Sequence, residues 1–281
     1  MKRVLLIGGS GQLGTEIRKR WNDCEIVAPP HAELDLQNAP QLRAAMEDLC
    51  PHVVVNAAAF ADVDKCESEP AVAFAINAVA VGTAARLAKE LDALFVTIST
   101  DYVFDGTATV PYSENAAVRP LSVYGVSKLA GEYLVERLEA RAFVVRTCGL
   151  YGIATPSGRR SFVERVLAAA NAREPMRVVA DVVASPTFAG HLADALRRLI
   201  ESESYGLYHA ANAGPVSWYD FAREVARQAN VAVAIEPIEA SQWKAVAVRP
   251  RFSALKNAKL GRLGVPMPDW RGGIAAYLAL R

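Results

Sequence analysis

Short apolar runs and amphipathic segments alternate along the first half of the chain. The apolar runs have the length of buried strands and span residues 3–7, 25–28, 53–55, 94–98 and 143–146. Segments with helical spacing lie between them, at residues 12–21, 38–49, 70–91 and 123–138. Parallel strands are buried on both faces and are joined by helical crossovers. The pattern therefore predicts an α/β fold with a Rossmann-like, doubly wound parallel sheet.

The regular alternation of predicted strands and helices ends near residue 150. Gly, Pro and Ser are frequent over residues 149–160, and residues 237–251 lack a regular pattern. The other segments are predicted as helices at 161–172, 188–202, 217–229 and 272–280, and as strands at 177–179, 207–209 and 233–236. We therefore expect a smaller C-terminal lobe after the first domain, with some of its segments returning to the sheet.

Composition narrows the class of protein. The chain has 281 residues, 52% of them hydrophobic, which is enough for one large core. A net charge of +1 gives no basic surplus, so neither nucleic acid nor a membrane is expected as a partner. The four cysteines form no CxxC pair and indicate reduced thiols in the cytoplasm. Asn77, Thr83 and Arg86 interrupt the apolar stretch at 71–88, which favours a packed helix over a membrane span.

Three glycines spaced three residues apart, Gly8, Gly11 and Gly14, lie between the first strand and the first helix. Glycine permits a tight turn and lets backbone N–H groups approach a pyrophosphate at the helix N-terminus. An ordinary turn is the alternative, but this position favours dinucleotide binding. The GxxGxxG spacing is typical of short-chain dehydrogenases.

Two further motifs carry acid–base chemistry. Tyr124 and Lys128 are four residues apart and so share one face of a helix. A lysine ammonium about one turn from a tyrosine favours the phenolate by Coulomb attraction. The segment 98–106 follows the fourth strand, at the sheet edge where ligands bind in such folds, and carries hydroxyls that can bond a substrate carbonyl. Each motif alone also fits simple packing or a turn, but their joint order favours a catalytic site.

Matching motifs extend over nearly the whole chain. They lie at residues 7–14, 56–59, 63–67, 99–106, 124–132, 184–187, 206–209, 218–221 and 249–250. In this combination the chain resembles the dTDP-4-dehydrorhamnose reductase family of extended short-chain dehydrogenases. The resemblance implies an NAD(P)-binding Rossmann domain over residues 1–150. It also implies that residues 151–281 form mainly a substrate-binding lobe.

The resemblance implies reduction of the C4 ketone of a nucleotide-activated 6-deoxy sugar, dTDP-4-dehydro-L-rhamnose, to dTDP-L-rhamnose. NADPH is the expected cofactor and NADH the alternative, because the second strand ends with neither an acid nor an arginine to select between them. The expected partner is the dTDP-sugar substrate, and the expected assembly is a monomer or a homodimer.

The resemblance also implies roles for single residues. Thr100 would hydrogen-bond the ketone oxygen, Tyr124 would protonate it, and Lys128 would hold the nicotinamide ribose and tune Tyr124. The expected cofactor-binding residues are Gly8, Gly11, Gln12, Leu13, Gly14, Asp35, Leu36, Asn56, Ala57, Ala58, Ala59, Tyr124 and Lys128. The expected substrate-binding residues are Thr100, Asp101, Tyr102, Tyr124 and Arg249.

Some positions leave alternatives open. Gly149 stands where family members often carry a tryptophan, which favours a related keto-sugar reductase as a second hypothesis. Glu16 matches a metal-binding glutamate of some members, but Gly190 replaces another, so no metal is expected. Asn77 is either structural or supports a proton-relay water. A third hypothesis is a non-catalytic NADP-binding regulator, like the regulatory subunit of methionine adenosyltransferase, because a fold does not prove turnover.

Overall fold

The computed structural model describes residues 1–153 and 160–281, so the middle of the segment at 149–160 lies outside the described residues. The strands are β1 (Lys2–Ile7), β2 (Cys24–Val27), β3 (Val53–Asn56), β4 (Leu94–Thr100), β5 (Ala142–Thr147), β6 (Met176–Val179), β7 (Val183–Ala184), β8 (Gly206–His209), β9 (Val216–Ser217) and β10 (Ile235–Ile238). Six of them form a parallel sheet in the order β2-β1-β3-β4-β5-β8. This confirms the predicted Rossmann-like fold.

Helices connect these strands at the predicted places. They are α1 (Gln12–Arg20), α2 (Ala39–Leu49), α3 (Val63–Ser68), α4 (Pro70–Phe74), α5 (Val81–Glu90), α6 (Val123–Glu136), α7 (Phe162–Ala172), α8 (Ala189–Ser202), α9 (Trp218–Gln228), α10 (Ala258–Arg262) and α11 (Trp270–Leu278). Asn38 caps the N-terminus of α2, because its Oδ1 accepts a hydrogen bond from Gln41 N at 3.1 Å. Neither the short helices α3 and α10 nor the two-residue strands β7 and β9 were predicted. Residues 237–251, expected to be irregular, include the end of β10 and a 3₁₀ turn at Ala240–Gln242.

The segment Pro70–Glu90 forms one helix in which a π-helical turn, Ala75–Ala80, joins α4 to α5. By length and composition it could cross a membrane, but 50% of its most apolar window is buried inside the fold. Its buried side packs against β1, β3 and β4. This burial is typical of a core helix, as the sequence predicts.

Two apolar clusters cover the two faces of the sheet. On one face, Val4 and Val55 pack with residues of α1 and α8. On the other, Leu5 and Val54 pack with α2 and α5. The chain beyond residue 150 therefore returns to the sheet through β8, which pairs with β5, and through α8 and α10 on one face.

A third cluster forms the core of the C-terminal lobe. It packs α7, α9 and α11 around fully buried aromatic side chains such as Phe221 and Tyr277. Two small sheets border it, a parallel pair of β6 with β10 and an antiparallel pair of β7 with β9. The lobe thus lies beyond the carboxyl end of β5, next to the sheet edge where the chemical motifs were expected.

Candidate active site

The glycine turn lies between β1 and α1, as its spacing predicts. Gly8 has a φ of +83°, and a Cβ there would lie 2.7 Å from Ala58 N. A Cβ on Gly14 would lie 2.6 Å from the Cα of Gly9, so both positions require glycine. Gly11 differs, because it is the N-cap of α1 and an added Cβ would meet only Gly8 O, at 3.3 Å. Space therefore remains at the N-terminus of α1, where no side chain caps the backbone N–H groups.

The loop after β3 forms the neighbouring wall. Asn56 is buried at the end of β3, and its side-chain oxygen accepts a hydrogen bond from Ala58 N at 3.1 Å. The backbone of Ala57 and Ala58 lies directly against Gly8, whereas Ala59 is exposed. Asn56 thus holds the loop that faces the glycine turn.

The side chains of the other predicted cofactor-binding residues are partly or fully occupied by contacts within the protein. The side chains of Leu13 and Leu36 are buried in the two core clusters, so only their backbones can face a ligand. Asp35 caps its own turn by accepting a hydrogen bond from Gln37 N at 2.9 Å. Gln12 is half-buried at the first position of α1.

Thr100 ends β4, and Asp101 opens the 3₁₀ turn that follows. Thr100 Oγ1 accepts a hydrogen bond from Tyr102 N at 3.2 Å and donates to Asp101 Oδ1 at 3.1 Å. The Asp101 carboxyl is buried, and Cys148 Sγ donates to its Oδ2 at 3.1 Å. Burial raises the pKa of Asp101, against hydrogen bonds from Ser253, Cys148 and Thr100. The hydroxyl expected to bind a ketone thus stands on a tightly bonded strand end.

The start of α6 packs against this turn. A Cβ on Gly125 would collide with Tyr102 O, so glycine permits the close approach. The ring of Tyr124 therefore lies edge-on to that of Tyr102, with centroids 5.7 Å apart and planes at 80°. One turn further along α6, Lys128 is buried and its Nζ donates to Ile98 O at 2.7 Å. The structure thus brings the predicted tyrosine and lysine to the end of β4.

A buried charge cluster lies next to Lys128. Burial lowers the pKa of Lys128 to about 8, while the carboxylate of Glu132 raises it. Glu132 accepts hydrogen bonds from the Arg146 guanidinium at 2.6 and 2.9 Å, and also from Ser99 Oγ. This pair was not predicted, because Arg146 lies on β5 and no local spacing joins it to Glu132 on α6. An arginine inside an apolar strand was the one available signal.

Asn77 lies in the π-helical turn and is fully bonded to protein groups. Its amide nitrogen donates to Phe60 O and to Ser127 Oγ, both at 3.0 Å, and its oxygen accepts from Phe60 N at 2.9 Å. It ties the loop after β3 to α6. Of the two expected roles, these contacts favour the structural one.

Arg249 reaches the site through Tyr102. Its guanidinium forms a two-pronged ion pair with Asp64, Nη1 to Oδ1 at 3.1 Å and Nη2 to Oδ2 at 3.0 Å. Nη1 also donates to Ala247 O at 3.1 Å. The Tyr102 hydroxyl lies beside the same guanidinium. The arginine expected to bind substrate is therefore already paired with a carboxylate.

An indole fills the place left by Gly149. This glycine has a φ of +50°, and a Cβ there would lie 2.8 Å from the ring of Trp218, the first residue of α9. The preceding residue, Cys148, contacts Asp101. A tryptophan from the C-terminal lobe therefore stands near the strand end that carries Thr100.

The side chain of Arg20 contacts both positions that were compared with metal-binding glutamates. Glu16 Oε2 accepts a hydrogen bond from Arg20 Nε at 2.9 Å, and a Cβ on Gly190 would lie 2.5 Å from Arg20 Nη2. Over residues 1–153 and 160–281, no group of three or more His, Cys, Asp or Glu side chains could hold a metal ion.

A glycine turn after the first strand, together with Thr100, Tyr124 and Lys128 around the end of β4, defines a Rossmann-type protein of the short-chain dehydrogenase class. The family described as RmlD substrate binding domain matches residues 1–280, and the chain belongs to this family.

Individual proteins resemble the chain over nearly its full length. It is 38% identical to a dTDP-4-dehydrorhamnose reductase of Burkholderia thailandensis, over 96% of this chain and 95% of that protein. It is 33% identical to the spore coat polysaccharide biosynthesis protein SpsK of Bacillus subtilis, over 100% of this chain and 98% of that protein. The crystal structure of a dTDP-4-dehydrorhamnose reductase from Bacillus anthracis in complex with NADP superposes with a TM-score of 0.95 at 33% identity. That match covers 100% of this chain and 99% of the other.

Proposed function

We propose that this protein is an NAD(P)H-dependent reductase that converts dTDP-4-dehydro-L-rhamnose to dTDP-L-rhamnose. The observation that carries the proposal is the meeting of Thr100, Tyr124 and Lys128 at the end of β4, beside an open glycine turn. Relatives named dTDP-4-dehydrorhamnose reductase align over nearly the whole chain and support the substrate class.

The residues present fit a dinucleotide. The N-terminus of α1 has no side-chain cap, and an added Cβ on Gly11 would meet only Gly8 O, at 3.3 Å, which suits a pyrophosphate there. Gly8, Gln12, Leu13 and Gly14 would line the pyrophosphate mainly through backbone atoms. Residues farther along the sheet edge, Asp35, Leu36, Asn56, Ala57, Ala58 and Ala59, would face the adenosine side. We infer NADPH as the preferred cofactor, as in the NADP complex of the similar Bacillus anthracis enzyme, with NADH as the alternative.

When bound, the nicotinamide supplies the hydride. Thr100 Oγ1 would turn its single O–H from Asp101 Oδ1 to the ketone oxygen and so fix that oxygen at the strand end. Tyr124 would transfer its phenolic proton to that oxygen as negative charge develops there. Lys128 stabilises the resulting phenolate by its charge and would hold the nicotinamide ribose. Asp101 and Tyr102 would lie on the substrate side of this turn. Asp101 would act through its hydrogen bond with Thr100.

The C-terminal lobe would bind the nucleotide sugar. In this proposal residues 1–150 bind the cofactor, and residues 151–281 mainly bind the substrate while also supplying α8 and β8 to the first domain. We further infer a cytoplasmic enzyme that acts as a monomer or a homodimer. A related keto-sugar reductase is the second candidate function, favoured by the indole of Trp218 at the place of Gly149.

The variant Tyr124→Phe tests the assignment. It removes the proton donor but keeps the ring, so turnover should fall by about 10²–10⁴-fold while NADPH binding stays intact. Reduction of several dTDP-4-keto sugars, followed by NADPH absorbance and product NMR, measures the loss and identifies the sugar. Tyr133→Phe is the matched control, because Tyr133 lies on the same helix with 54% exposure. Near-wild-type turnover in Tyr124→Phe would rule out the proposed proton donor.

A further inference from the structure

The ion pair between Asp64 and Arg249 joins two parts of the chain that are 185 residues apart. Asp64 lies in α3, soon after the loop that follows β3, and Arg249 lies in the irregular segment before α10. Asp64 Oδ1 also accepts a hydrogen bond from Ala247 N at 2.9 Å. The two charged side chains are 30% and 40% exposed, so the pair is partly shielded from water.

Three of the five N–H donors of Arg249 are already bonded to protein oxygens. Nη1 donates to both Asp64 and Ala247 O, and Nη2 donates to the second Asp64 oxygen. A guanidinium has five N–H donors in a fixed plane, so this pairing also fixes where its remaining edge points. Tyr102 lies beside the guanidinium, and the ring of Tyr102 packs edge-on against Tyr124.

Asp64, Arg249, Tyr102 and Tyr124 thus form a continuous series of contacts from α3 to the expected proton donor. We propose that Asp64 is a positioning residue of the reductase site: it holds Arg249 against Tyr102 and thereby fixes the ring on which Tyr124 rests. This inference rests on the proposed function, because it assigns Tyr124 to the reaction. Arg249 then serves the sugar site through Tyr102 and not as a phosphate ligand.

The alternative role of Arg249, direct binding of the substrate diphosphate, makes the opposite prediction for Asp64. If Arg249 bound phosphate, loss of the competing carboxylate would free its positive charge and would leave substrate binding unchanged or tighter. If Asp64 positions Arg249, the same change would loosen the site and weaken it.

The test is Asp64→Asn, assayed with each substrate varied separately. Asparagine can still accept from Ala247 N but loses the charged, two-pronged pairing. A charge-assisted bond is worth about ten- to a hundredfold, and partial exposure reduces this, so we expect kcat/KM for the dTDP-4-keto sugar to fall about three- to tenfold. The KM for NADPH should not change. In an Arg249→Ala background, Asp64→Asn should have no further effect, because both residues act through one contact.

Asp181→Asn is the matched control. Asp181 Oδ1 accepts from Ala240 N at 2.7 Å, and Asp181 pairs with Arg251 at 3.8 Å, so it fastens the same segment with the same kinds of contact. It should leave kcat/KM for the sugar unchanged, with any shift in melting temperature similar to that of Asp64→Asn.

Three outcomes would overturn the inference. One is wild-type kinetics in Asp64→Asn, and another is an equal loss in Asp181→Asn, which would mean that the segment is only being held in place. The third is an unchanged or lower KM for the sugar in Asp64→Asn together with a raised KM in Arg249→Ala, which would make Arg249 a phosphate ligand. If wild-type protein turns over no dTDP-4-keto sugar, the proposed function fails and this inference fails with it.

Discussion

Lys128 is an ammonium with its nitrogen bonded to Ile98 O and a carboxylate one turn away. Burial disfavours its charge, and Glu132 only partly opposes that effect, so the pKa falls to about 8. A lysine with this pKa is still mostly charged at neutral pH. It can therefore stabilise a phenolate on Tyr124, but only within a limited pH range.

The pH dependence follows from the sign of this shift. Lys128 loses its charge as the pH rises through about 8. The quantity kcat/KM for NADPH, which reports on the free enzyme, should therefore fall above that pH. Arginine stays charged over the accessible range, so Lys128→Arg should keep some activity and lose this alkaline limb. Steady-state profiles between pH 6 and about 10 would measure both. A limb that persists unchanged in Lys128→Arg would assign the titration to another group.

The sequence predicted the place of some residues in the site but not of others. Tyr124 and Lys128 were recognisable because their spacing is local and places both on one helix face. Glu132 and Arg146 pair across two elements, so no spacing along the chain indicates their contact. The same holds for Asp64 and Arg249, whose ion pair depends on the path of the irregular segment.

At the scale of elements, the glycines of the turn before α1 differ in why a side chain is excluded. Gly8 and Gly14 are required by close backbone contacts, whereas Gly11 has extended backbone angles that any residue can adopt. The backbone therefore does not require glycine at this position, where an added Cβ would meet only Gly8 O, at 3.3 Å. The long periodic helices and buried strands were predictable for a related reason, since burial of one face imposes a strong pattern. Strands of two residues, such as β7 and β9, are too short to show one.

Gly11→Val should give a folded protein with weakened cofactor binding. The branched side chain would enter the space at the N-terminus of α1, and we expect NADPH affinity to fall by at least about tenfold, or about 1.4 kcal/mol. Fluorescence titration with NADPH would measure it. Gly261→Val is the control, because Gly261 lies in α10 and a Cβ there meets no atom within 4 Å. Unchanged affinity in a folded Gly11→Val protein would mean that the glycine serves the turn alone.

At the scale of the whole molecule, the sheet does not stop where the first domain was expected to end. Trp21, just after α1, donates its indole N–H to Ala193 O in α8 at 3.0 Å. β8 adds a sixth strand beside β5. The sequence predicts that some later segments return to the sheet, but not which ones, because the apolar face of α8 would suit either core equally well.

These connections predict that the Rossmann sheet and the C-terminal lobe unfold as one cooperative unit. Leu196 lies in α8, is 1% exposed and packs in the cluster that covers β1 and β3. Leu196→Ala should cost about 2–5 kcal/mol through lost burial and the cavity left behind. Of the two elements β3 and α9, β3 shares an apolar cluster with Leu196 and α9 does not. If the molecule unfolds as one unit, the slow amides of both elements should nevertheless exchange faster by the same factor. Leu280→Ala is the control. Leu280 is 46% exposed, so this change should alter neither the free energy of unfolding nor the exchange rates of β3 and α9. Acceleration confined to the sheet, with α9 still protected, would show instead that the lobe is a separate folding unit.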